Sequence, residues 1–246
     1  MTGERRVAMI SDAAGYVGPS LARLLAPRHD LVVGDPEDGL VSDLEASGAA
    51  VAVAEDARDL SRPNVIERLV TLAIERFGRL DAAVAFTGRI VVGRFLRSTV
   101  DDLRDALVGC VEAPYQFLRG VVPVMVERGG GQILVFTSAA GARPTPGAPL
   151  YSSARAAANM LVRNVADEVV GRNVQVNAIG TNFMDFPGFL RANRAEEPEG
   201  RARVEAMVPM GRLGTMDELA HMALPFVDGT SRFTTGQFVG FAGGWV

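Results

Sequence analysis

Three side chains of this sequence have the types and spacing to share one reaction. Tyr151 is followed by Arg155 with three residues between them, and Ser138 precedes Tyr151 with twelve between. Tyr151 and Arg155 therefore stand at positions i and i+4 of a helical stretch, one turn apart on the same face. Ser138 closes an apolar strand, at the carboxyl end where open parallel sheets bind their ligands. A phenol releases its proton near ~10 and is a poor base at neutral pH. A neighbouring cation favours the phenolate, and Arg carries a charge that cannot be lost. Tyr151 can then accept a proton from a substrate hydroxyl, or return one to an oxygen. Ser138 can hydrogen-bond that same oxygen and hold it in place. Tyrosine occurs only three times, at Tyr16, Tyr115 and Tyr151, which leaves little room for a chance match at this spacing.

These residues need a scaffold, and the chain alternates strands and helices as a parallel sheet with crossover helices does. The pattern predicts strands over 7–10, 31–33, 49–54, 82–86, 132–137, 174–179 and 237–241. It predicts helices over 16–25, 64–77, 150–170 and 215–227, and one long helix over 101–127 that Pro114 and Pro123 bend or break. A Gly/Asp/Pro loop follows the second strand. Right-handed crossovers would make this α/β chain a single Rossmann-type doubly wound domain over 1–246. Its mainly parallel seven-stranded sheet would carry helices on both faces. The least regular stretch is 181–199, rich in Phe, Pro, Arg and Glu. Such an excursion after a strand's carboxyl end is where these sheets build substrate sites.

The bulk numbers narrow the function class. Of 246 residues, 48% are hydrophobic and 22% charged, enough for a buried core. The net charge is −4 and no basic tract stands out, so no nucleic-acid partner is expected. The lone Cys110 allows no intramolecular disulfide, which suits a cytoplasmic protein; it reads as a small core residue of a helix. His29 and His221 lie far apart and read as ordinary surface or helix residues, so no metal site is expected. The N-terminal apolar run is too short for a signal peptide. No apolar stretch approaches the ~20 residues that span a bilayer, so no membrane association is expected.

The loop after the first strand, Ser11-Asp12-Ala13-Ala14-Gly15-Tyr16-Val17-Gly18, matters most for the choice of chemistry. A dinucleotide-binding loop carries glycines there so that the backbone can approach a pyrophosphate at a helix N-terminus. Here Tyr16 stands at the middle glycine and Asp12 at the tight turn. The ring would enter the space a nicotinamide dinucleotide needs, and the carboxylate would repel phosphate. Asp35 follows the second strand, where an acid could hold a ribose, but it also suits the turn it sits in.

Ser138, Tyr151 and Arg155 together resemble the short-chain dehydrogenase triad, with Arg in place of the usual Lys. Other marks agree along the whole chain: Phe77-Gly78-Arg79-Leu80-Asp81, Val176-Asn177-Ala178-Ile179, Gly211-Arg212-Leu213-Gly214 and Thr235-Gly236-Gln237. Arg155 combined with Ser11-x4-Tyr16-x-Gly18 resembles the halohydrin dehalogenases within that superfamily. Their pattern usually opens on Thr, where this chain has Ser11. The stretch Asn177 to Pro187 and Gly243-Gly244-Trp245 look closest to the G-type subgroup.

The resemblance implies a cofactor-independent lyase that interconverts vicinal halohydrins with epoxides. In that scheme Tyr151 is the base and acid, Ser138 binds the oxygen and Arg155 tunes Tyr151. Halide, or azide, cyanide or nitrite in the reverse direction, would occupy a pocket lined by Tyr16, Thr181, Asn182, Phe183 and Met184. The family often has Pro where Thr181 stands. Phe86, Phe186 and Trp245 are substrate-pocket candidates, the last through a tail that reaches a neighbouring subunit in related proteins. A homotetramer joined through the long helices is the implied assembly. Two other readings stay open: an NAD(P)-dependent oxidoreductase with an unusual loop, and a non-enzymatic ligand sensor on the same fold. A pure binder has no need of an activated phenol.

Overall fold

The computed structural model describes residues 5–62 and 64–246. The first four residues of the N-terminal stretch, and Pro63, lie outside the described residues. Seven strands form one parallel sheet: β1 (Arg6–Ile10), β2 (His29–Gly34), β3 (Val51–Ala54), β4 (Ala82–Phe86), β5 (Gly131–Ser138), β6 (Val174–Thr181) and β7 (Phe238–Phe241). Their order is β3-β2-β1-β4-β5-β6-β7, and every pairing is parallel. The expected doubly wound sheet is therefore present in a single domain. The strands read as near-continuous apolar runs because both faces are covered. One face buries Val7, Met9, Val135 and Val176 against helices that include Leu69 and Phe117. The other buries Ala8, Ile10, Leu134 and Ile179 under helices that include Leu21 and Leu219.

The helices are α1 (Gly18–Leu25), α2 (Leu40–Ala46), α3 (Val65–Phe77), α4 (Val100–Leu107), α5 (Ala113–Glu127), α6 (Pro149–Val169), α7 (Pro187–Ala192), α8 (Pro198–Glu205) and α9 (Met216–Ala223). Strand order reverses between β1 and β4, and the crevice at such a switch point is where sheets of this type bind ligands. The loop after β1 and the carboxyl ends of β4, β5 and β6 open onto it. Register sets which side chains meet there. Phe86 pairs with Phe136 and Ser138 with Thr181.

Several expectations need correction. The helix expected from Tyr16 starts at Gly18, because Tyr16 has φ 51°, a left-handed conformation that no helix continues. The Gly/Asp/Pro loop is present, and it leads into α2, which the pattern did not predict; its two buried leucines, Leu40 and Leu44, form only a short apolar signal. The long helix over 101–127 is interrupted by a π turn at Val108–Glu112, just before Pro114. Pro114 supplies no N–H, and π turns occur where the i to i−4 ladder is disturbed. The 181–199 stretch is more regular than expected: it holds all of α7 and the first two residues of α8, each helix opened by a proline. Finally, His29 is not a surface residue. It is buried in β2 with Nδ1 3.2 Å from the Leu25 carbonyl, and burial lowers its pKa. His221 lies exposed on α9, and Cys110 is buried in the π turn.

Among the described residues, no helix is long and apolar enough to cross a membrane. No group of three or more His, Cys, Asp or Glu side chains among them could hold a metal ion.

Candidate active site

Arg155 lies on the buried stripe of α6, with Ala154, Ala158, Asn159 and Val162. A buried guanidinium must be paired or hydrogen-bonded, and Thr87, one residue past β4, supplies the acceptors. Arg155 Nη1 donates to Thr87 Oγ1 at 3.1 Å, and Nη2 donates to the Thr87 carbonyl. Thr87 is fixed in turn, its hydroxyl donating to the Phe136 carbonyl at 2.9 Å. So held, the Arg155 guanidinium carbon lies 5.2 Å from the Tyr151 ring centroid, a cation over the ring face. Gly88 makes this possible. Its φ is +126°, and a Cβ built there would fall 1.7 Å from Arg155 Nη2.

Ser138 ends β5 and is buried. Its Oγ accepts from the Ala140 N–H at 3.1 Å and donates to the Thr181 carbonyl at 3.3 Å. Strand β6 thus touches the serine through the residue that starts the 181–186 turn. Tyr151 packs partly against Ala106, Cys110 and Ala154. Among the described residues, none forms a hydrogen bond with the Tyr151 hydroxyl, so it is available to a substrate oxygen.

Across the crevice stands an aromatic box. Phe86 and Phe136 stack at 4.9 Å with planes 16° apart, as their paired register dictates. The Tyr16 ring meets their edges at 6.1 and 6.3 Å and lies 5.0 Å from Phe186. Its hydroxyl donates to Thr181 Oγ1 at 2.6 Å. Burial pushes the Tyr16 phenol well above its usual range, outweighing the opposite pull of the Thr181 hydrogen bond. The Tyr16 hydroxyl is thus engaged with Thr181, while the Tyr151 ring lies under the Arg155 guanidinium.

The chain as a whole is similar to known proteins. A family model described as Enoyl-(Acyl carrier protein) reductase matches residues 29–246. The 3-oxoacyl-(acyl-carrier-protein) reductase FabG of Thermotoga maritima is 28% identical over 99% of this chain and 98% of its own. The 2,5-dichloro-2,5-cyclohexadiene-1,4-diol dehydrogenase LinX of Sphingobium indicum is 27% identical over 98% of this chain and 96% of its own. Acetoin dehydrogenase from Enterobacter cloacae superposes with a TM-score of 0.84 at 27% identity, covering 100% of this chain and 96% of that one. A 7α-hydroxysteroid dehydrogenase solved with NADH and 7-oxo glycochenodeoxycholic acid gives 0.86 at 26% identity, over 97% and 93%. The chain belongs to the matched family, within the short-chain dehydrogenase superfamily.

That superfamily implies a nicotinamide dinucleotide, and the residues of this member do not fit one in the usual place. The Tyr16 ring packs against Phe86, Phe136 and Phe186 beside the β1/β4 switch point, where the middle glycine of a dinucleotide loop would leave open space. Asp12 accepts the Ala14 N–H at 2.9 Å and pairs with Arg58 at 3.1 Å, so a carboxylate already occupies the loop's amide where a phosphate would sit. The Asp35 carboxylate accepts the N–H groups of Asp56, Ala57 and Arg58 at 2.8, 2.8 and 3.1 Å. It braces a turn rather than standing open to a ribose. Gly18 keeps a close-packing role common to such loops: a Cβ there would lie 2.1 Å from the Asp12 carbonyl. Tyr16→Gly alone should not create NADH binding, because Asp12 remains in the loop. An NADH fluorescence titration of that variant checks this, and saturable binding would contradict it.

The remaining sequence candidates divide into two groups. Tyr16, Thr181, Phe86, Met184 and Phe186 gather on the crevice side, where Met184 is buried with Ile179 and Phe136. Phe183 and Trp245 belong elsewhere. Phe183, at φ 55°, packs with Ala195, Val204, Val208 and Leu213, and its ring lies 5.6 Å from Trp245. In a single chain Trp245 therefore rests on its own 183–213 segment. The Asn182 side-chain oxygen accepts the Phe183 N–H at 2.9 Å and so shapes the turn. The sequence reading did not single out Thr87, Gly88 or Phe136. Gly88 had one usable signal, a glycine just past a strand end at the switch point.

Proposed function

We propose that this protein interconverts vicinal halohydrins and epoxides without a cofactor. The observation that supports the reading is Tyr16, whose ring packs with Phe86, Phe136 and Phe186 where a dinucleotide loop would carry glycine, while Arg155 is held over the Tyr151 ring. Ring closure needs no hydride acceptor. The Tyr151 oxygen takes the proton of the substrate hydroxyl, whose oxygen attacks the neighbouring carbon. The carbon–halogen bond breaks, its electron pair leaves with halide, and the proton passes to solvent. In reverse, Tyr151 protonates the epoxide oxygen as halide, azide, cyanide or nitrite opens the ring. Ser138 positions that oxygen. Arg155, fixed by Thr87 and Gly88, supplies the positive field over the phenol.

The departing or attacking anion would lie near Tyr16 and Thr181. Because Tyr16 donates to Thr181 Oγ1, the threonine's own hydrogen is free to turn toward an anion. Chains of hydrogen-bonded hydroxyls polarise one another, which strengthens such a donor.

A second reading, an NAD(P)-dependent oxidoreductase, is favoured by the relatives, which are named as reductases and dehydrogenases. One assay separates the two. Purified protein is mixed with a terminal epoxide and sodium azide in nicotinamide-free buffer, and azido-alcohol formation is followed. Enzyme-dependent product supports the epoxide reading. No product, together with substrate-dependent NAD(P)H oxidation, would replace it with the oxidoreductase.

A further inference from the structure

A path of ring contacts and hydrogen bonds joins the two walls of the site. From Tyr16, ring contacts run to Phe186 at 5.0 Å, on to Phe189 at 6.4 Å, then Phe183 at 6.0 Å and Trp245 at 5.6 Å. Arg143 completes the path. Its guanidinium lies 4.6 Å over the Trp245 indole, and Nη1 donates to the Trp245 carbonyl at 2.6 Å. The Arg143 carbonyl accepts from Ser152 Oγ at 2.9 Å, and that hydroxyl also lies 2.6 Å from the Ala140 carbonyl. Ser152 directly follows Tyr151. The path thus runs from the aromatic box to the residue beside the base.

We infer that Arg143 and Trp245 are positioning residues: they form a clasp that sets the separation between the Tyr16–Phe186 wall and Tyr151, and so the size of substrate admitted. Three features support this. The segment before Trp245 is anchored without Arg143, because Met210 N–H donates to the Gly243 carbonyl at 3.0 Å and Trp245 N–H to the Ala242 carbonyl at 3.0 Å. The fold therefore does not need the clasp. Arg143 is exposed and Trp245 only half-buried, so the contact can break and re-form. And Arg143 lies between Ser138 and Tyr151 in sequence, on the loop that joins the oxygen-holding residue to the base.

The inference concerns the walls and holds whichever reaction runs between them. Trp245 is the only tryptophan, so its emission reports the clasp directly. Arg143→Met keeps the alkyl stem and removes the cation and donor; Arg143→Lys restores a cation and a donor without the planar guanidinium. Arg143→Met should shift the Trp245 emission while the melting temperature holds. Phe186→Ala, which does not touch Trp245, should shift it too, because the ring path carries the displacement. In the bromohydrin assay Arg143→Met should raise KM roughly tenfold with kcat nearly unchanged, below the ~10²-fold loss that a ~1 Å misplacement can cause. The rise should be steepest for compact substrates, and Arg143→Lys should recover part of it. Unchanged emission in both Arg143→Met and Phe186→Ala would overturn the inference. So would an equal fall of kcat, KM selectivity and melting temperature that Arg143→Lys does not relieve. A wild-type protein that fails to turn over bromohydrin counts against the dehalogenase reading alone, and the two emission spectra then decide the clasp.

Discussion

Tyr151→Phe should fold normally and lose both halide release and epoxide opening by about 10²–10⁴-fold, the share a positioned proton acceptor or donor contributes. The substitution removes one oxygen. The ring stays against Ala106, Cys110 and Ala154 and keeps its face under Arg155, so packing gives no reason for unfolding. The change should fall on kcat and kcat/KM together, the mark of an interaction made mainly in the transition state. Steady-state bromide release and a thermal melt measure both parts. Ring closure at near wild-type rate would move the base elsewhere, and the Tyr16 hydroxyl, held by Thr181, would be the next group to remove.

The second large effect is expected at a residue that never touches substrate. Gly88→Ala places a methyl 1.7 Å from Arg155 Nη2 and 2.4 Å from its central carbon, at a φ of +126° that only glycine adopts readily. Arg155 must then give up Thr87 and its place over Tyr151. Backbone strain of about 1–3 kcal/mol should lower the melting temperature by several degrees, at ~2–4 °C per kcal/mol for a chain of this size. Activity should fall about 10²-fold, the scale on which a displaced catalytic group is felt. Coupling distinguishes this from general damage. In an Arg155→Met background, Gly88→Ala should cost little further activity, because residues in contact are not additive. A full additional loss in the double variant would mean that Gly88 acts through something other than Arg155.

Much of this was legible in the sequence because it rests on local spacing. The i, i+4 relation of Tyr151 and Arg155 needs only a helix, and α6 supplies it. The alternation of apolar runs fixed the sheet's class, and the strand over 82–86 matched its structural bounds. The features that were not legible depend on contacts distant in sequence. Nothing in the neighbours of Thr87 says that it will receive a guanidinium from 68 positions away. Phe136 reads as ordinary strand filling until β4–β5 register lays it on Phe86. Tyr16 showed its importance but not its backbone, since a left-handed aromatic residue before a helix is rare. The 181–199 stretch misled because its composition resembles a loop, while Pro187 and Pro198 in fact begin short helices. Phe183 stood in line with pocket residues, yet the turn aims its ring at Trp245.

The most direct measurement is the stoichiometry of bromide and proton release from a simple vicinal bromohydrin, with no nicotinamide added. Both should appear in equal amounts with enzyme present, and both should vanish in Tyr151→Phe. Absence of bromide release, with NADH or NADPH oxidised in the presence of a carbonyl substrate, would contradict the dehalogenase reading and make the Tyr16 box a movable wall of a dehydrogenase.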